Sequence, residues 1–83
     1  MAPLRVLFLP RAEKQGAALD RVTRERVLEA IERFAATGSG DVIPLKGLPG
    51  SFRLRAGAYR VIFELRGVDL VVTKIGHRRE VYE

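Results

Sequence analysis

Phe52-Arg53-Leu54-Arg55, the break Ala56-Gly57-Ala58, and Tyr59-Arg60-Val61-Ile62-Phe63-Glu64-Leu65-Arg66 decide the fold. Side chains alternate between the two sides of an extended chain. Phe52 and Leu54 therefore share one face, and Arg53 and Arg55 the other. In the second run Tyr59, Val61, Phe63 and Leu65 fall on one side, and Arg60, Ile62, Glu64 and Arg66 on the opposite side. This period of two, rich in aromatic and β-branched residues, predicts strands over 51–55 and 59–66 joined as a hairpin. Arg66-Gly67-Val68-Asp69 turns again. Leu70 to Gly76 is apolar on both faces, as a central strand is, and completes an antiparallel meander.

Upstream of the hairpin, 37–50 holds Gly38, Gly40, Pro44, Gly47, Pro49 and Gly50 and reads as a connecting loop. Before it the period changes to that of a helix. Val27, Leu28, Ile31, Phe34 and Ala35 fall on one face of a segment running from Arg21 to Thr37. Asp20 is a natural N-cap and Gly38 a natural stop. Arg11 to Leu19 predicts a shorter helix, opened by Pro10 and weakened by Gly16. Residues 4–9, Leu-Arg-Val-Leu-Phe-Leu, predict a strand that Pro10 ends. The expected fold is α+β in the order β-α-α-β-β-β: an antiparallel sheet with two helices on one face and the other face open.

A chain of 83 residues reads as a single domain, 1–83. A domain of this size buries about 60–65% of its unfolded surface, which leaves a small stability margin. Cysteine is absent, which removes disulfides, thiolate nucleophiles and thiolate metal sites. With one histidine, His77, a metal centre is not expected, nor any other cofactor. No apolar run approaches the roughly 20 residues that cross a bilayer. Met1-Ala2-Pro3 leads straight into a strand without a signal peptide. A cytoplasmic location away from the membrane is the expectation.

The net charge is +5, and twelve of the fifteen cations are arginine. Residues 1–41 carry 7 cations and 6 anions; residues 42–83 carry 8 and 4. A basic half on a small domain fits a polyanionic partner, and it fits a solubilising arginine-rich surface equally well. Arg53, Arg55 and Arg60 become neighbours on the open face. Their repulsion is relieved either by a bound anion or by carboxylates, with Glu64 and Glu80 as the expected partners. The chain closes on His77-Arg78-Arg79-Glu80-Val81-Tyr82. Histidine moves protons near neutrality, arginine stabilises charge on phosphorus, and tyrosine stacks on bases. Such a set suits cleavage of RNA by its own 2′-OH. The same residues also read as a charged surface tail with an edge tyrosine. Gly47-Leu48-Pro49-Gly50 is turn chemistry and not a phosphate loop.

Three stretches together, Pro44-Leu45-Lys46-Gly47-Leu48, Phe52 to Glu64 and Lys74 to Tyr82, resemble the RelE/ParE superfamily of bacterial and archaeal toxins. Pro10 to Lys14 and Glu25 to Ile31 extend the likeness to nearly the whole chain. The resemblance implies a toxin of a type II toxin–antitoxin pair, on the RelE-like branch. Such a toxin is a metal-independent endoribonuclease that cuts mRNA in the ribosomal A site, leaves a cyclic phosphate and inhibits translation. It implies that Arg60 stabilises charge on the phosphate, that Arg78 acts at the leaving oxygen, and that Tyr82 stacks on the RNA. Arg53 stands near lysines that relatives use as base or phosphate contacts. Arginine does not readily lose a proton; some members of the family place a working histidine close to their C-terminus, so the resemblance points to His77 as the general base. Lys46, Arg53, Arg55, Lys74 and Arg79 are the expected RNA- or phosphate-binding cations. The implied partners are the ribosome with its mRNA and a cognate antitoxin whose toxin-binding segment is acidic. The alternatives are a ParE-like poison of DNA gyrase and an inactive module that only binds an antitoxin.

Overall fold

The computed structural model describes residues 3–81. The elements run β1 (Arg5–Phe8), α1 (Pro10–Ala17), α2 (Arg21–Thr37), β2 (Asp41–Pro44), β3 (Ser51–Ala56), β4 (Tyr59–Arg66) and β5 (Asp69–His77). The five strands form one sheet in the order β1-β5-β4-β3-β2. The α+β class and the helices packed on one face are as the sequence predicts. Two features differ. The segment read as a loop contains β2, paired antiparallel to β3 with Val42 opposite Leu54. The sheet is also mixed, because β1 runs parallel to β5, with Val6 opposite Leu70 and Phe8 opposite Val72. A two-helix crossover separates β1 from the rest of the sheet, and a crossover of that length permits a parallel return.

The long helix α2 begins and ends where its caps dictate. The Asp20 side chain accepts a hydrogen bond from the Thr23 amide at 3.1 Å. The Thr23 side chain first, and then this amide, hold the Asp20 carboxyl below the usual carboxylate range. Gly38 closes α2 at φ 79°, a left-handed conformation that glycine adopts without steric cost.

The core lies between the sheet and the helices. Val27, Ile31 and Ala35 of α2 and Ala12 of α1 meet Leu54, Val61, Phe63, Leu70, Val72 and Ile75. Phe63 is fully buried, with Phe52 stacked on it at 5.5 Å and Phe34 tilted against it at 5.4 Å. Burial of such side chains supplies about 1.5–3 kcal/mol each, the main term holding so small a domain.

A β-bulge in β5 sets the geometry of the open face. Ile62 pairs with Lys74 while Phe63 pairs with Val72, so Thr73 is an extra residue in the ladder. Val72 and Ile75 both join the core although they are three apart. Every side chain after Thr73 is thereby shifted to the face opposite the one simple alternation gives it.

Where β1 gives way to α1, two α1 side chains one turn apart take over the edge of β5. Arg11 donates from Nε and Nη2 to the Thr73 carbonyl at 3.2 and 3.0 Å. Gln15 Oε1 accepts from the Ile75 amide at 2.7 Å. At the other end of the β1–β5 pair, Arg5 binds Asp69 at 2.8 Å, and this hydrogen bond holds the Asp69 carboxyl below its usual range.

Candidate nucleic-acid interface

The open face carries the arginines that alternation assigned to it. Arg53 and Arg55 lie two apart on β3, and Arg55 stands directly opposite Arg60 on β4. The carboxylate among them comes from β2. Asp41 binds Arg53 Nη2 at 2.9 Å and lies 3.9 Å from Arg55 Nη1. The expected partner Glu64 instead binds Arg66, whose Nε and Nη2 both reach Oε1 at 3.1 and 2.8 Å. Glu80 is exposed in the C-terminal turn and forms none of these ion pairs. The Arg53 side chain is 14% exposed, and its Nε is buried without a hydrogen-bond partner. A buried donor left unsatisfied costs about 1–3 kcal/mol.

Arg60 is only 9% exposed. Its Nη1 donates to the carbonyls of Gly57 at 2.8 Å and Tyr59 at 3.0 Å, which fixes the guanidinium on the β3–β4 turn. The same turn holds the backbone of Arg78, whose amide donates to the Ala58 carbonyl at 2.8 Å. Arg60 and Arg78 are thus anchored to adjacent residues of one turn. Arg78, Arg79 and Lys46 are exposed, and Lys74 is half-buried.

His77 does not join them. It pairs with Tyr59, their rings meeting edge to face at 5.6 Å, whereas Arg60 pairs with Gly76. Tyr59 packs against the core, so His77 lies on the helix side of the sheet. The bulge at Thr73 is the cause, since without the extra residue His77 would fall on the open face. The imidazole plays a structural part there, because its Nδ1 accepts from the Arg79 amide at 3.2 Å and caps the C-terminal turn. Val81 closes that turn, with its amide bonded to the His77 carbonyl at 3.0 Å. It sits so close to Gly76 that a Cβ there would stand 3.6 Å from the Val81 Cβ. Tyr82 lies outside the described residues.

Next to the arginines the open face hollows into a cleft of about 520 Å³. Leu9, Leu48, Ile62 and Val81 give it apolar walls, and Arg11, Glu64, Thr73 and Lys74 add polar groups. Arg11 and Asp41 are functional candidates that sequence reasoning missed. Arg11 carries a signal in hindsight, because Arg11 and Gln15 are polar at i, i+4 beside the buried Ala12. Asp41 carried none while its segment read as a loop. Among the described residues no helix is long and apolar enough to cross a membrane.

This fold, with a basic sheet face opposite two helices, can be set beside known proteins. The profile of the ParE toxin of the type II toxin–antitoxin system parDE matches residues 6–82, and the chain belongs to this family. Several solved structures share the fold. The RelB–RelE antitoxin–toxin complex from Methanococcus jannaschii aligns at TM-score 0.77 and 24% identity, covering 92% of this chain and 94% of that one. A mutant E. coli toxin RelE in the free state aligns at 0.76 and 25%, covering 99% and 92%. The YoeB dimer from Staphylococcus aureus aligns at 0.75 and 18%, covering 92% and 98%. No curated protein matches the sequence. The chain is a type II toxin of the RelE/ParE superfamily.

Proposed function

We propose that this toxin cuts mRNA on the ribosome, by attack of a 2′-OH on the adjacent phosphorus to leave a cyclic phosphate. The observation that carries this reading is the gathering of Arg53, Arg55 and Arg60 on one open face, with Arg78 tied to the turn that fixes Arg60. A guanidinium held by two carbonyls is preorganised, and preorganised donors are worth most where charge develops. Arg60 stabilises the charge on the phosphate, and Arg78 the charge on the leaving oxygen. Tyr82 stacks on the RNA. Arg53, Arg55, Lys46, Lys74 and Arg79 hold the backbone. Acid–base help on this face is weak, because arginine keeps its proton and His77 is on the other side. The rate then rests on charge stabilisation and on alignment of the 2′-OH by the ribosome, which can contribute several kcal/mol. A cognate antitoxin with an acidic toxin-binding segment is the second partner, in keeping with the RelB–RelE complexes that share the fold.

A second reading, a ParE-like poison of DNA gyrase, is favoured by one observation: no histidine stands beside Arg60. Purified protein added to translating ribosomes, with mRNA ends mapped, separates the two. New ends within codons at the A site support cleavage. Intact mRNA together with blocked gyrase supercoiling would replace it with the second reading.

A further inference from the structure

The cleft differs in chemistry from the arginine cluster beside it. None of Arg53, Arg55 and Arg60 lines it, and its carboxylate is Glu64. An acid on a face that binds a polyanion weakens that binding unless it receives donors from the ligand. Glu64 sits four residues along β4 from Arg60, about 13 Å in an extended strand. A phosphate held at the arginines leaves the cleft to a base of the same strand. Apolar walls from separate elements suit a flat ring, and the volume suits a small ligand. Glu64 Oε1 accepts both bonds from Arg66, and Oε2 accepts none among the described residues. A carboxylate offers about four lone-pair sites, two on each oxygen. Arg66 is exposed, and an exposed ion pair is weak, so a ligand can displace one of its bonds and find one acceptor on each oxygen.

We propose that the cleft reads a guanine base of single-stranded RNA, with Glu64 accepting from N1–H and N2–H. The proposal rests on the RNA-cleaving reading above. Guanine alone among the four bases presents two adjacent donors on its Watson–Crick edge. Adenine and cytosine set an acceptor beside the exocyclic amine, and uracil has a single N–H between two carbonyls. The O6 and N7 acceptors of guanine match the positive side of the cleft, to which Arg11 contributes. An acidic peptide fits poorly, because Glu64 repels it. Unpaired bases are the ones proteins read on this edge.

The full-length protein, isotopically labelled and titrated with GMP, AMP, CMP and UMP, gives the test. GMP is expected to shift the amides of Glu64, Thr73 and Lys74 and to bind about tenfold tighter than the others, as one bidentate base contact allows. Glu64→Gln replaces one acceptor oxygen by a donor amine. It should abolish the guanine preference and turn it towards adenine, with melting showing the fold intact. Equal affinity for the four nucleotides, shifts confined to other regions, or a Glu64→Gln protein that still prefers GMP would each overturn the proposal. The outcome is independent of cleavage. Base-blind cutting on ribosomes without GMP preference removes the subsite and keeps the nuclease. GMP preference with intact mRNA does the reverse.

Discussion

Arg55 and Arg60 face each other across one rung of the β3–β4 ladder. Like charges directly opposite destabilise a sheet. The protein relieves the pair unequally: Arg55 is near Asp41, at 3.9 Å, while Arg60 is turned onto turn carbonyls. Asp41 is one carboxylate shared by Arg53 and Arg55, and Arg60 is held by neutral carbonyls, so the face stays positive.

Replacing that carboxylate should have opposite effects on stability and binding. Asp41→Asn removes an ion pair with one largely buried member and is expected to cost about 0.5–1 kcal/mol. The same change should tighten retention of single-stranded RNA at low salt. Thermal melting and filter binding check the two halves, and a variant that binds RNA more weakly counts against the phosphate role of this face.

Arg60→Ala is expected to slow mRNA cleavage on ribosomes by about 10²–10³, the scale for one charge-stabilising donor. Cleavage by the unaltered protein should persist with a chelator while the ribosomes stay intact. Full activity in the variant would remove Arg60 from the chemistry.

His77→Gln separates the two faces of the sheet. Glutamine can still accept from the Arg79 amide, and the imidazole is on the helix side, so cleavage should fall by only a few-fold. A loss as large as that of Arg60→Ala would mean that His77 reaches the RNA in the working complex.

Stability should fall in acid through Asp20 and Asp69, both held below the usual carboxylate range by hydrogen bonds from Thr23 and Arg5. A depressed folded value contributes stability above the unfolded carboxylate pKa, about 3.9. That contribution is lost as pH falls through the lower folded value. Asp69→Asn should flatten the decline in urea midpoints between neutral and strongly acidic pH, with little change below it.

Phe63→Ala tests the core. The ring is fully buried between Phe34 and Phe52, and its removal is expected to cost about 3–5 kcal/mol. In a domain this small the variant should be largely unfolded by circular dichroism at 37 °C.

The hairpin was legible because residues 51–66 obey one period on a sheet with one covered face, and the long helix because both its caps are in the sequence. Strand β2 was not. Its four residues stand among glycines and prolines, and its pairing comes from Asp41 and Val42 meeting Arg55 and Leu54, a relation no local pattern carries. Arg53, Arg55 and Arg60 were placed on the open face by alternation alone. His77 was expected at the site from its place at the chain end and from the resemblance, and it lies on the other side because a bulge adds one residue where the sequence around Thr73 looks unbroken. The Glu64 partner was misjudged for a simpler reason: Arg66 lies two residues away on the same strand and reaches the carboxylate first.

The parallel pairing of β1 with β5 bears on how the toxin is made. The strand translated first closes the sheet against the strand translated last, and β5 lies between β1 and β4. Until β5 has left the exit tunnel, β1 has no strand to pair with and Arg11 and Gln15 of α1 lack their backbone partners. Arg60 has no Gly76 opposite it, and Arg78 has not yet met its turn. Contacts this distant in the chain form late and slowly. The arginine face is therefore complete only once the last strand has taken its place between β1 and β4.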